Sequence, residues 1–173
     1  MSDFYNANAG GHFVFGPTYN STQYVRAAIE GSLNGFHEVD VEAAKAVNGE
    51  LAGKIAGFTE NGKVGLAKAD GANAVGLYRE DIKDMVNASN NATFYFRGGE
   101  YHIAESRLGA SIEDFTLGGY ATTDDTGALI PTTDAAKAVA VVIDNGTYPM
   151  GNMYRWAGEE MNGGRFLGIL LKL

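Results

Sequence analysis

The chain is expected to be mainly β: a small β-sandwich or barrel-like domain with one or two short helices and an extended N-terminal segment. Three observations predict it. Turn signals recur at short intervals from residue 49 onward. The runs between them alternate apolar and polar residues, or are short and wholly apolar. Glycine contributes 24 of 173 residues, with only 3 prolines, which suits tight turns and close backbone approaches rather than a linker or a collagen-like repeat.

The length suits one domain, read as residues 20–173 preceded by an arm over 1–19. The arm combines Phe4, Tyr5, Phe13, Phe15 and Tyr19 with small polar residues and shows no useful period beyond a short strand at "HFVFG". Aromatics on such a segment need a place to be buried. Two readings fit: a terminal strand pinned to the domain core, or an arm docked on a neighbouring subunit. Those five aromatics are the candidate partner-binding residues.

Residues 20–35 read as a helix. Asn20 can cap it, Gln23 follows three residues later, Val25, Ile29 and Leu33 recur at intervals of four, and Asn34-Gly35 supplies the stop. "FHEVDVE" then alternates as a half-buried strand, and the following "AAKAV" suits a helical turn or a further strand. Asn61-Gly62, set between alternating runs, predicts a hairpin. "EDIKDMVNA" fits a single helical turn. "ATFYFRGGEYHIAES" reads as a second hairpin turning at Gly98-Gly99, with Phe94 and Phe96 on one face and Tyr95 on the other. "AVAVVI" is a wholly apolar run, hence a central strand, and "RFLGILLKL" is a closing strand. The tally is eight to ten strands.

Two phrases resemble each other: "DGANAVGLYRED" at 70–81 and "DAAKAVAVVIDN" at 134–145. Gly53, Ala56 and Gly62 match Gly118, Ala121 and Gly127 at a shift of 65. After one deletion Asp70, Ala72, Ala74 and Val75 match Asp134, Ala136, Ala138 and Val139. Hydrophobic type also agrees at Ile55/Tyr120, Val64/Leu129 and Leu77/Val141. This predicts a possible internal repeat, 52–81 against 117–145, arranged as a pair of β-units; two copies are too few for a solenoid.

Chemistry is sparse. No phosphate-cradle motif occurs, and no Gly-x-Ser-x-Gly. His12, His37 and His102 are far apart, without metal-ligand spacing. Asp124-Asp125 near Gly127 faintly suggests a calcium loop but lacks the alternating acidic ligands, so a solvated turn is expected. Glu159-Glu160 beside Trp156 are adjacent and would point to opposite faces of a strand. Sequons at Asn20, Asn87, Asn91 and Asn145 are what an Asn-rich chain contains. Without cysteine there is no disulfide, Cys-based zinc site or thiol nucleophile. The expectation is no catalytic residue, no cofactor and no metal.

The net charge of −8 argues against a nucleic-acid partner or an anionic membrane surface. No run reaches the ~18 apolar residues of a membrane helix. The start, "MSDFYNANAGGHFVFG", does not read as a signal peptide, so synthesis in a cytoplasm is expected.

Across residues 49–145 the chain resembles the capsid decoration (cement) proteins of tailed bacteriophages. The resemblance rests on Gly53, Lys54 and Ile55, the turn Asn61-Gly62-Lys63-Val64, Ala67, and Val75-Gly76-Leu77. It implies a virion structural protein on the outer surface of the capsid, often trimeric, that bridges neighbouring major capsid subunits. The major capsid protein and further copies of the chain would be its partners. Another virion component, such as a tail-tube protein, and a carbohydrate-binding β-domain stacking sugars on Trp156 or Tyr154 remain open.

Overall fold

The computed structural model describes residues 25–29, 32–34, 37–82, 91–145 and 165–173. Among them eleven strands form two antiparallel sheets. They are β1 (Val25–Ile29), β2 (Ser32–Asn34), β3 (Ile55–Phe58), β4 (Val64–Leu66), β5 (Ala74–Tyr78), β6 (Phe94–Arg97), β7 (Glu100–Ala104), β8 (Tyr120–Thr123), β9 (Leu129–Thr132), β10 (Ala140–Asp144) and β11 (Phe166–Leu171). One sheet has the order β1-β7-β11-β10-β8-β9 and the other β2-β6-β5-β3-β4. The expected mainly β class is thus what the chain adopts, as a sandwich rather than a closed barrel.

The single α-helix among the described residues, α1 (Val41–Ala46), starts where Asp40 accepts from the Glu42 and Ala43 amides. "AAKAV" therefore begins as helix. Of the strand expected just before it, only Glu38 and Val39 make isolated bridges, and Val39 lies beside Val64 along the outer edge of β4. That edge is capped by backbone: Val64 donates to Glu38 and Asp40 donates back to Val64.

Two expectations are overturned. The helix read over 20–35 is two strands where described, β1 and β2, with residues 20–24 outside the described set. A spacing of four is a multiple of two as well as nearly one helical turn, so Val25, Ile29 and Leu33 fit a strand period equally. Pairing with β7 and β6 then decides. The second hairpin is also not one. β6 and β7 are strands as read, but Gly98-Gly99 is a corner that carries the chain from the five-stranded to the six-stranded sheet. Phe94 and Phe96 do share a face, with ring centroids 6.5 Å apart. Tyr95 points the other way and meets Tyr101 at 4.7 Å across the corner.

The hairpin at Asn61-Gly62 forms as β3–β4. β10 is central, flanked by β11 and β8, and β11 is itself interior to its sheet. The helical turn expected over 80–88 falls mostly outside the described residues.

Two apolar clusters hold the layers together. Between the sheets lie Val25, Ile55, Leu77, Tyr95, Tyr101, Ile103, Phe115, Leu129, Val142, Leu167 and Ile169 with smaller neighbours. Behind the five-stranded sheet, under α1, lie Val39, Ala44, Leu51, Ala56, Val64, Tyr78, Ala92 and Phe94. Each fully buried large side chain is worth roughly 1.5–3 kcal/mol of transfer free energy. The hydroxyl of Tyr78 reaches the Val64 and Gly65 carbonyls at 3.0 and 3.1 Å. Burial pushes its phenol well above the usual range.

The two similar phrases belong to units with the same pairing. β5-β3-β4 and β10-β8-β9 have the same strand order. Ala56, Gly57 and Phe58 face Leu66, Gly65 and Val64; shifted by 65, Ala121, Thr122 and Thr123 face Pro131, Ile130 and Leu129. Ile55–Leu77 and Ala56–Gly76 become Tyr120–Val141 and Ala121–Ala140. The turns repeat too: Gly62 donates to Thr59 at 3.0 Å, and Gly127 to Asp124 at 3.1 Å. Both glycines have positive φ, +75° and +71°, the left-handed region open to them without a Cβ penalty. Next to these trios sit β6 and β11, which place Tyr95 beside Leu77 and Leu170 beside Val141.

Candidate functional site on the two flanks of the sandwich

The described residues hold no group of three or more His, Asp or Glu side chains placed for a metal ion. Asp124 does not face outward for a cation. Its Oδ1 accepts from the Thr126 amide and hydroxyl, both at 2.8 Å, and from the Ala128 amide at 3.0 Å, so it closes the β8–β9 turn on itself. His37 and His102 are apart: His37, in a bend before α1, packs edge-on to Phe58 at 4.9 Å, and His102 is buried on β7 with Asp144 at 4.0 Å. His12 lies outside the described residues.

Charged groups are spent on tying segments together. Arg107 donates to Asp81 at 2.9 Å with both side chains nearly sealed from water, and Glu50 approaches Arg107 at 3.4 Å. The other Asp81 oxygen accepts the Ala52 amide at 2.9 Å. Lys54 sits near this group and near Asp124; burial is the main cause that lowers its pKa. On the surface, Arg165 bonds Glu105 and Glu113 and joins the start of β11 to two 3-10 turns, Glu105–Arg107 and Ile112–Asp114. Hydrogen bonds from Arg165 first, then from Ser111, hold the Glu113 carboxyl down at about 2. Between the two β-units, Lys137 reaches Asp70 at 2.8 Å, which raises the lysine pKa. Asp70 and Asp134 are turn residues, and Asp134 accepts the Ala136 amide two residues on.

Large exposed apolar side chains sit on opposite flanks. Behind the five-stranded sheet, Phe58 and Phe96 are 39% and 38% exposed, with the half-buried His37 between Phe58 and Phe94. Val41 on α1 is exposed nearby in the chain. On the outer face of the six-stranded sheet, Leu170 on β11 is 46% exposed. It lies beside Val141 on β10, which lies beside Tyr120 on β8, so the three form a row across three strands. Leu117 just before β8 is equally exposed, and Ile143 further along β10 is exposed too. The Lys172 ammonium lies 5.2 Å from the centre of the Tyr120 ring. Single exposed apolar residues are ordinary; here Leu170 is exposed, and its neighbours Val141 and Tyr120 are half-buried.

Sequence reading placed the candidate contacts elsewhere. Phe4, Tyr5, Phe13, Phe15 and Tyr19 lie outside the described residues, as do Tyr154, Trp156 and Glu159-Glu160. The row Leu170–Val141–Tyr120 was not singled out, although the matches Leu77/Val141 and Ile55/Tyr120 carried the signal that those positions are apolar by design. No protein-family model matches the chain, and no curated protein matches it, so the fold and these flanks are what a functional reading has to rest on.

Proposed function

We propose that the protein is a virion structural component that decorates the outer surface of a phage capsid and stabilises it by bridging neighbouring major capsid subunits. One observation carries the reading: large apolar side chains are exposed on both flanks of one sandwich, Phe58 and Phe96 on one side, Leu117 and Leu170 on the other. A module that bridges a lattice needs at least two contact surfaces, one for the shell and a second for the shell or for a further copy of the chain. Its layers must also resist shear, which a core running through both sheets and the buried Arg107–Asp81 tie supply. The net charge of −8 suits a position outside the shell, away from packaged DNA. Many modest contacts on a repeating lattice add up to large collective stability. The resemblance of residues 49–145 to capsid decoration proteins points the same way.

The test is to add purified protein to capsids that lack it, then image them and challenge them with heat. Regular density on the outer surface and a raised disruption temperature are expected. Rings or tubes formed by the protein alone would replace this reading with a tail component. A protein that ignores capsids and binds glycans would replace it with a carbohydrate-binding domain.

A further inference from the structure

The two β-units pack facing the same way, and this leaves one face without its counterpart. In the first unit Ala52, Ile55, Leu77 and Tyr95 point into the core between the sheets, all fully buried. Their equivalents in the second unit are Leu117, Tyr120, Val141 and Leu170, which point outward. The converse also holds. Ala56, Val64, Tyr78 and Phe94 lie behind the first unit under α1, while their equivalents Ala121, Leu129, Val142 and Ile169 line the inter-sheet core. The same face is therefore sealed by a β-sheet in one unit and open in the other. At all four open positions the side chain is nonetheless apolar or aromatic. A face meant for water would carry polar residues there.

We infer that this open face, centred on Leu170, Val141 and Tyr120, is the contact between two copies of the chain. Charge decides the occupant. Across the strands the row reads Ile29, Glu100, Leu170, Val141, Tyr120, Thr132, with Lys172 above the tyrosine ring. Its apolar centre is flanked by an acidic group on one side and a basic group on the other. A two-fold axis parallel to the strands, between β10 and β11, turns the row end for end. It sets Leu170 on Val141 of the second copy and Glu100 on Lys172 and Tyr120 of the second copy. Such a row complements itself, as an isologous interface must. The aligned face-to-face packing it requires is the one sheets adopt in sandwiches. The inference does not rest on the proposed place in a virion.

The experiment uses the full chain without capsids, in analytical ultracentrifugation over a range of protein concentration. A dimer is expected at tens of micromolar. Leu170→Lys should weaken it by about 30-fold or more, since an unpaired ammonium would be buried in the apolar centre. Leu170 is exposed in the single chain, so the far-UV spectrum and melting of the variant should stay close to the parent. Glu100→Lys and Lys172→Glu should each weaken self-association, by placing like charges together, while a mixture of the two variants should form a heterodimer. A monomeric parent chain, an assembly indifferent to Leu170→Lys, or a mixture that fails to pair would each overturn the inference. Loss of capsid binding with an intact dimer would instead count against the decoration reading alone.

Discussion

Arg107 and Asp81 form a nearly water-free ion pair, 2.9 Å between nitrogen and oxygen, that pins the end of β5 to the turn after β7. Asp81 also holds the Ala52 amide, so one carboxylate serves two segments. Removing one partner strands a buried charge. Arg107→Ala is expected to cost about 3–5 kcal/mol in urea unfolding. Arg107→Met combined with Asp81→Asn should recover most of that, because the amide oxygen keeps the Ala52 bond and no charge remains. Equal losses in the single and double variants would refute this account.

The turns β3–β4 and β8–β9 offer a matched comparison. Gly62 and Gly127 occupy the same place with nearly the same φ. A Cβ at Gly62 meets nothing within 4 Å, whereas at Gly127 it would stand 2.7 Å from the Ile55 carbonyl oxygen. Gly62→Ala should cost about 1 kcal/mol, the left-handed backbone penalty. Gly127→Ala should cost at least ~2 kcal/mol more, since backbone has to shift. Thermal unfolding of the two variants measures the difference, and equal losses would show that the second turn does not bear on β3 as described.

Glu113 gives a pH signature with a definite sign. Its carboxyl is held at about 2 in the fold against an ordinary 4.5, so its contribution is present above 4.5 and is lost as pH falls toward 2. The melting-temperature gap between the parent chain and Glu113→Gln should therefore shrink across that window. The gap should be small and should close in high salt, because the pair with Arg165 is exposed. A gap that widens on acidification would reverse the assignment.

Tyr78→Phe tests the layer under α1. The ring stays and the hydroxyl goes, leaving the Gly65 carbonyl without that donor, while the Val64 carbonyl keeps the Asp40 amide. The expected loss is about 1–2 kcal/mol in denaturant unfolding. A neutral result would mean that water replaces the hydroxyl.

How much of this was legible depended on whether the signal was local. The β3–β4 hairpin was readable because Asn61-Gly62 specifies a turn by its own backbone preferences. β10 was readable as a strand because six consecutive apolar residues, 138–143, mark one, but the run did not show that Val141 and Ile143 face outward. The segment 25–34 was misread because its apolar spacing satisfies two periods, and its strand partners lie about 60 or more residues away. At Gly98-Gly99 two glycines mark a sharp change of direction but not whether the chain folds back or crosses to another layer. Leu170 and Val141 were apolar on the page, yet alternation states only that a strand has two faces. Which face meets the core is settled by how the two units stack, and nothing local encodes that.

The crossing at Gly98-Gly99 has a mechanical meaning. β6 and β7 lie in opposite sheets and are joined by two residues, and the Gly98 amide is held by the Leu173 carbonyl at 3.0 Å. A force that pulls the two flanks apart is thus carried at this seam by covalent backbone. Elsewhere it meets side-chain packing, single hydrogen bonds such as the Ile55 amide to the Gly127 carbonyl, and ion pairs such as Lys137–Asp70, which yield one at a time. The sandwich should open like a hinged book, from the side away from this spine, and a single-molecule pulling trace across the flanks would show where the spine lies.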